Sequence, residues 1–159
     1  MKHSYTIESA TLHDAITMAP SMRKADVDEL LASAGTDAFT SLSMSLGYAA
    51  MAMTGRVDGQ IACMFGVGAI DPLNGVGCPW LLGTPLIEKH GHAFLKRSKF
   101  YLAQMQELFP VLYNHVDARN AISIAWLKWL GFQFDANTVP YGVQGLPFYR
   151  FELRRPSHV

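Results

Sequence analysis

Two titratable side chains, His115 and Asp117, stand two residues apart in the stretch NHVD. On an extended strand, residues at i and i+2 share a face. An imidazole and a carboxylate would then project side by side and could take a proton from a bound nucleophile. The competing reading leaves His115 half exposed and has Asp117 cap a turn or pair with Arg119. Upstream, KHGHAFLKRSK (residues 89–99) sets Lys89, Lys96, Arg97, Lys99, His90 and His92 against the single acid Glu88. Such a run either attracts an anionic cofactor or phosphate or forms the solvated face of an amphipathic helix. Asn120 stands at the start of the next helix, where its side chain can accept from free helix amides. Trp126 and Trp129, spaced with Ile122 and Leu130, read as a core-facing stripe more readily than as an aromatic box. Cys63 and Cys78 lack metal-site spacing and read as buried thiols in a reducing compartment.

The elements that must position these groups alternate between β and α. YTIES is a short strand, and Thr11 with Asp14 predicts a capping box for a helix from Leu12 to about Met18, which Pro20 ends. KADVDELLASAG predicts a second helix with Asp26 as its cap and Gly35 as its stop. DAFTSLSMSLG continues the helical region. Asp58-Gly59 between apolar runs predicts a hairpin. After the loop DPLNGVGCP comes a short buried strand, WLLGT, and then an amphipathic helix from His92 to Leu108 closed by Pro110. VLYNHVDA is the next strand, with Leu112, Val116 and Ala118 on one face and Tyr113, His115 and Asp117 on the other. The Asn120 helix and the strands FQFD and PFYRFEL complete one domain over residues 1–159.

Composition restricts the alternatives. Half of the 159 residues are hydrophobic, which excludes a disordered chain. Only 16% are charged, thirteen basic against thirteen acidic. That balance gives no nucleic-acid signal, and so few charges suit a self-association or partner face. The opening residues lack the apolar core of a leader, and no apolar run reaches a membrane-spanning length, so the expectation is a soluble cytoplasmic protein.

The segment NAISIAWLKWLGFQF opens on Asn120 and runs eleven residues to Gly131-Phe132 and a strand. It resembles the last motif of the GNAT acyltransferase superfamily. Taken together, MRKADVDELLASAG, DGQIACMFGV, PWLLGT, FLKRS, NHVDARN and WLKWLGF resemble a GNAT-like family of tailed bacteriophages that includes internal virion protein A. The resemblance covers about residues 5 to 153. It implies an α+β fold with a mixed, splayed β-sheet and helices on both faces. It further implies acetyl-CoA in a cleft between the WLLGT and VLYNHVDA strands. Trp80, Leu81 and Leu82 would hold the pantetheine arm, Lys96 and Arg97 would offset pyrophosphate charge, and Asn120 would face the cofactor.

Two functions follow from that resemblance. One is acetyl-CoA-dependent N-acetylation of a small-molecule or protein amine, with His115 or Asp117 taking the amine proton. The other is a non-catalytic virion assembly or ejection protein that keeps the fold and binds other virion proteins, whether in the bacterial host cytoplasm or packaged in the particle. The sequence departs from the superfamily in two places. Gly83 and Gly91 are too far apart for the usual pyrophosphate loop, and Leu127 stands where a proton-donating Tyr is common.

Overall fold

Asp58 and Gly59 do form a tight turn, both at positive φ (49° and 84°), as a two-residue hairpin loop requires. They join β2 (Ala49–Val57) to β3 (Gln60–Asp71). The computed structural model describes residues 2–156. Around that hairpin, β1 (Tyr5–Ser9) pairs antiparallel with β2, and β4 (Val76–Gly83) pairs antiparallel with β3. A second group comprises β5 (Val111–Asp117), β6 (Gln133–Phe134), β7 (Val139–Tyr141) and β8 (Leu146–Arg154). The sheet runs β1-β2-β3-β4-β5-β8-β6, with β7 also on β8. Its one parallel pair among the described residues, β4 with β5, joins the two groups.

The helices cover both faces. α1 (Leu12–Met18), α2 (Lys24–Ser33) and α3 (Ala38–Tyr48) lie on one face, with Ala15, Met18, Met22 and Leu42 packed on Met64 and Leu82. On the other face lie α4 (Pro85–Leu108) and α5 (Ala121–Trp129), over Phe65, Val67, Leu112, Val116 and Phe151. The alternation of Met64 with Phe65, and of Leu82 with Leu81, thus feeds two cores. Among the described residues, no helix is long and apolar enough to cross a membrane.

The Thr11 capping box forms, with Asp14 Oδ2 accepting from the Thr11 amide and Thr11 Oγ1 from the Asp14 amide. Other expectations need correction. α2 starts at Lys24, so Asp26 is inside its first turn and caps nothing. α4 starts at Pro85, seven residues before His92, and departs from helical geometry at His90 (φ −114°, ψ 16°). Gly91 follows this kink and packs closely on α5, where a Cβ would lie 3.2 Å from the Trp126 ring. β4 begins at Val76 and carries Pro79 within it.

That proline sets the geometry of the site. β4 and β5 pair only at Val76–Val111 and Gly77–Leu112. The next residue of β4 that faces β5 is Pro79, which has no N–H to donate. The ladder stops there and the strands part. Asn114 Nδ2 donates to Pro79 O at 2.9 Å across the opening.

The turn after β7 docks on the end of α2, where Val143 N–H donates to Ser33 O (3.0 Å) and Gln144 N–H to Ala32 O (3.2 Å). Gly142 sits in this contact at φ +74°, and a Cβ would fall 2.5 Å from Ser33 Cα. Gly142→Ala should destabilise the protein by about 2 kcal/mol in urea unfolding, while Gly59→Ala, with open space around its Cβ, should cost about half as much.

Candidate active site

The parted strands leave a passage of about 320 Å³ between the two halves of the sheet. On the α4/α5 side it is lined by Phe65, Leu81, Leu95, Ser98, Leu102, Trp126 and Leu127, and on the other by Glu29, Ser33, Ser45, Cys78, Trp80, His115 and Tyr141. Gly83 turns both its backbone groups toward the gap, and by the two-residue alternation so does Leu81. The Gly83 groups are taken by α2: its N–H donates to Asp26 Oδ2 and its carbonyl accepts from the Arg23 N–H, each at 2.8 Å. The Leu81 edge lies along the passage.

At the mouth a buried ionic cluster ties α2 to β4, α4 and α5. The Arg23 guanidinium donates to Asp26 (2.8 and 2.9 Å), Glu88 Oε1 (3.1 Å), Asn120 Oδ1 (2.8 Å) and Ser123 Oγ (2.7 Å), and lies 5.4 Å from the Trp126 ring centre. Glu29, one turn beyond Asp26, accepts from the Asp117 N–H at 2.7 Å and from Asn120 Nδ2 at 3.5 Å. Burial pushes the Glu29 carboxyl up to about 7; the Asp117 amide opposes that and the Asp26 charge adds to it. A carboxyl poised near neutrality in a cleft is a candidate proton acceptor.

His115 lines the passage with its ring stacked on Tyr141, centres 4.1 Å apart and planes 14° apart. Burial, then the positive Arg150, lowers its pKa, so the imidazole is neutral near pH 7. Asp117 does not join it. Burial would raise the Asp117 carboxyl, but Arg119 outweighs it, donating to both oxygens (Nε at 3.0 and 3.2 Å, Nη2 at 2.7 Å) and holding the pKa down. A carboxylate so clamped is a poor proton acceptor.

Of the residues expected to meet a cofactor, Leu81 lines the α4/α5 side, while Trp80 and Leu82 face the α1–α3 side. Asn120 N-caps α5 by position, yet its side chain makes no capping bond and turns to Arg23 instead. Lys96 and Arg97 lie in the middle of α4, because that helix starts at Pro85. Lys96 is exposed, and Arg97 lies over Tyr5 at 5.0 Å, toward the β1 edge and away from the passage. Lys99 sits on the α5 side of the helix, 4.4 Å over Trp129. Trp129 is itself 45% exposed, so only Trp126 packs inward. The start of α4 is also used internally. Pro85 has no N–H, Leu86 N–H donates to Thr84 Oγ1, and Ile87 N–H donates to Thr84 O.

Glu29 and Arg23 were the residues that sequence patterns did not single out. Their signal is a stripe at helical spacing, Arg23, Asp26, Glu29 and Ser33, lying beside Val27 and Leu30. Ionic groups on the inward stripe of a helix must be paired or functional.

No protein-family model matches the sequence, and no curated protein does. Solved structures do. A spermidine N-acetyltransferase from Vibrio cholerae, in complex with CoA and spermine, matches at a TM-score of 0.72 and 11% identity over 95% of each chain. A putative acetyltransferase from Salmonella typhimurium, with its cofactor acetyl-CoA, matches at 0.68 and 20% over 98% of this chain and 96% of that one. An acetyltransferase of the GNAT family from Streptococcus pneumoniae matches at 0.64 and 15% over 96% and 100%. At these identities the likeness is one of fold, and it extends over nearly the whole of both chains. The chain has the GNAT fold.

Proposed function

We propose that the protein is an acetyl-CoA-dependent N-acetyltransferase whose chemistry takes place in the passage between β4 and β5. The observation that carries this reading is the opening at Pro79, which leaves the Leu81 backbone edge along a channel reached by Glu29 and His115. The channel fits a narrow pantetheine arm, with Leu81 offering an N–H and a carbonyl. The diphosphate finds no free amide at the start of α4, so Lys96 and Lys99 on the outer side of that helix would offset its charge. Bound acetyl-CoA supplies an acetyl group activated as a thioester.

The chain's own residues do the rest. Glu29, its carboxyl pushed up to about 7 by burial, accepts the proton of the amine as its nitrogen attacks. The C–N bond forms, the C–S bond breaks, and the proton taken up is the one that the departing sulfur requires. Leu127 places no phenol at that wall, so Glu29 both takes and returns the proton. His115, neutral and half-buried, is the second acceptor in reach of the channel. The test is release of free CoA thiol from acetyl-CoA on adding primary amines. Amine-dependent release is expected; no release above hydrolysis with any amine would sink the reading.

A second reading keeps the fold without the catalysis, as an assembly or ejection protein of a tailed phage. The internally satisfied start of α4 favours it, since a diphosphate there meets no donor. Co-sedimentation with phage particles, together with no response to acetyl-CoA, would support this reading over the first.

A further inference from the structure

We propose that the amine accepted in this passage is a small monoamine with an aromatic or apolar body, and not a polyamine. The reaction rests on the acetyl-transfer reading above, whereas the ligand class rests on the passage wall alone. Among the described residues that line the passage, Glu29 is the one carboxylate and no lysine or arginine is present. Besides the uncharged Ser33 and Ser45, the acceptor side is Trp80, Cys78, Leu30 and the stacked pair His115–Tyr141. A polyamine brings two or more ammonium groups, and each one taken from water needs its own partner. One carboxylate serves one nitrogen.

Beyond the passage wall, the nearest charges are already paired with one another. Arg150 is the register partner of His115 on β8, on the same face of the sheet, and its guanidinium lies 4.7 Å from the Tyr113 ring centre. An ammonium extending past His115 would meet carboxylates already engaged by that guanidinium, Glu152 at 3.2 Å and Asp135 at 3.9 Å. An aromatic body meets flat apolar rings: Tyr141 packs on Phe148 with centres 4.9 Å apart, and Trp80 lines the same side of the passage. The turn after β7 docks on the end of α2 at Ser33, which lines this side.

The full-length protein should be titrated with phenethylamine, ethylamine and spermidine. Binding is read by calorimetry without cofactor, and kcat/KM by thiol release with acetyl-CoA. Phenethylamine should exceed spermidine by about tenfold or more in both readouts. Tyr141→Ala should lower kcat/KM for phenethylamine about tenfold more than it lowers kcat/KM for ethylamine. Ser45→Glu, which adds a carboxylate to the wall, should shift the ratio toward spermidine by about tenfold and needs no aromatic removed. Spermidine equal to or better than phenethylamine would overturn the proposal, as would binding of neither amine. If phenethylamine binds more tightly than spermidine while no amine releases thiol, the acetyl-transfer reading falls and the ligand class stands.

Discussion

On the acetyl-transfer reading, Glu29→Gln is expected to lower amine-dependent turnover of acetyl-CoA by about 100- to 10,000-fold, the range that a positioned general base supplies. Gln keeps the size and the acceptor oxygen that hold the Asp117 N–H, so the fold survives while proton uptake is lost. Asp117→Asn should cost far less turnover, because Arg119 already occupies that carboxylate. In the wild type, kcat/KM should rise with pH through about 7 as Glu29 ionises, and Glu29→Gln should abolish that limb. Stability runs the other way. The folded-state pKa of about 7 lies above the ordinary 4.5, so the carboxyl's contribution is fully present below pH 4.5 and lost as pH rises through 7. Glu29→Gln should therefore flatten the pH–stability profile between pH 5 and 8 by about 2 kcal/mol, measured by urea unfolding across that range. A wild-type pH–rate profile flat from 5 to 8 would remove Glu29 as the base.

Arg23→Met destabilises the protein by about 3–5 kcal/mol. Arg23 and Asp26 are 3% and 1% exposed, and the guanidinium is the shared donor for Asp26, Glu88, Asn120 and Ser123. Removing it leaves the Asp26 carboxylate buried without its counter-charge, held only by the Gly83 amide and a long contact from Asn120. The double variant Arg23→Met with Asp26→Leu should recover a large share of the loss, since a buried pair replaced as a pair costs much less than a pair broken. A loss under about 1 kcal/mol in Arg23→Met would show that water solvates the cluster and that α2 does not close the mouth. Arg23→Met should also loosen α2 from β4 and raise hydrogen exchange at Gly83, whose amide Asp26 would then hold less well.

Local chemistry made much of the fold legible. Thr11 and Asp14 have a reciprocal bond that forms within four residues, and Asp58-Gly59 has a turn that few other dipeptides favour, so both were readable from their neighbours. The alternation along VLYNHVD likewise separates core from cleft without knowledge of the partner strand. The Asn120 segment pointed to the fold through its order of cap, helix, Gly-Phe and strand. The same Asn misled about its own bond, because its choice between helix amides and Arg23 depends on a residue 97 positions away. Glu29 was illegible for a similar reason. Its pKa comes from burial against β5 and α5, and no property of DVDELL alone supplies that. The early start of α4 was hidden by Pro85, which reads as a breaker but sits comfortably at the first helical position. Placing that start correctly is what moves Lys96 and Arg97 away from a helix N-terminus.

The passage at Pro79 should take acetyl-CoA. A calorimetric titration of the wild-type protein and of Leu127→Trp tests it, with melting curves confirming that both are folded. Acetyl-CoA should bind the wild type at micromolar concentration and raise its Tm, and Leu127→Trp, which fills the channel wall, should weaken binding at least about tenfold. No heat at millimolar acetyl-CoA, or equal binding by the folded Leu127→Trp variant, would contradict it.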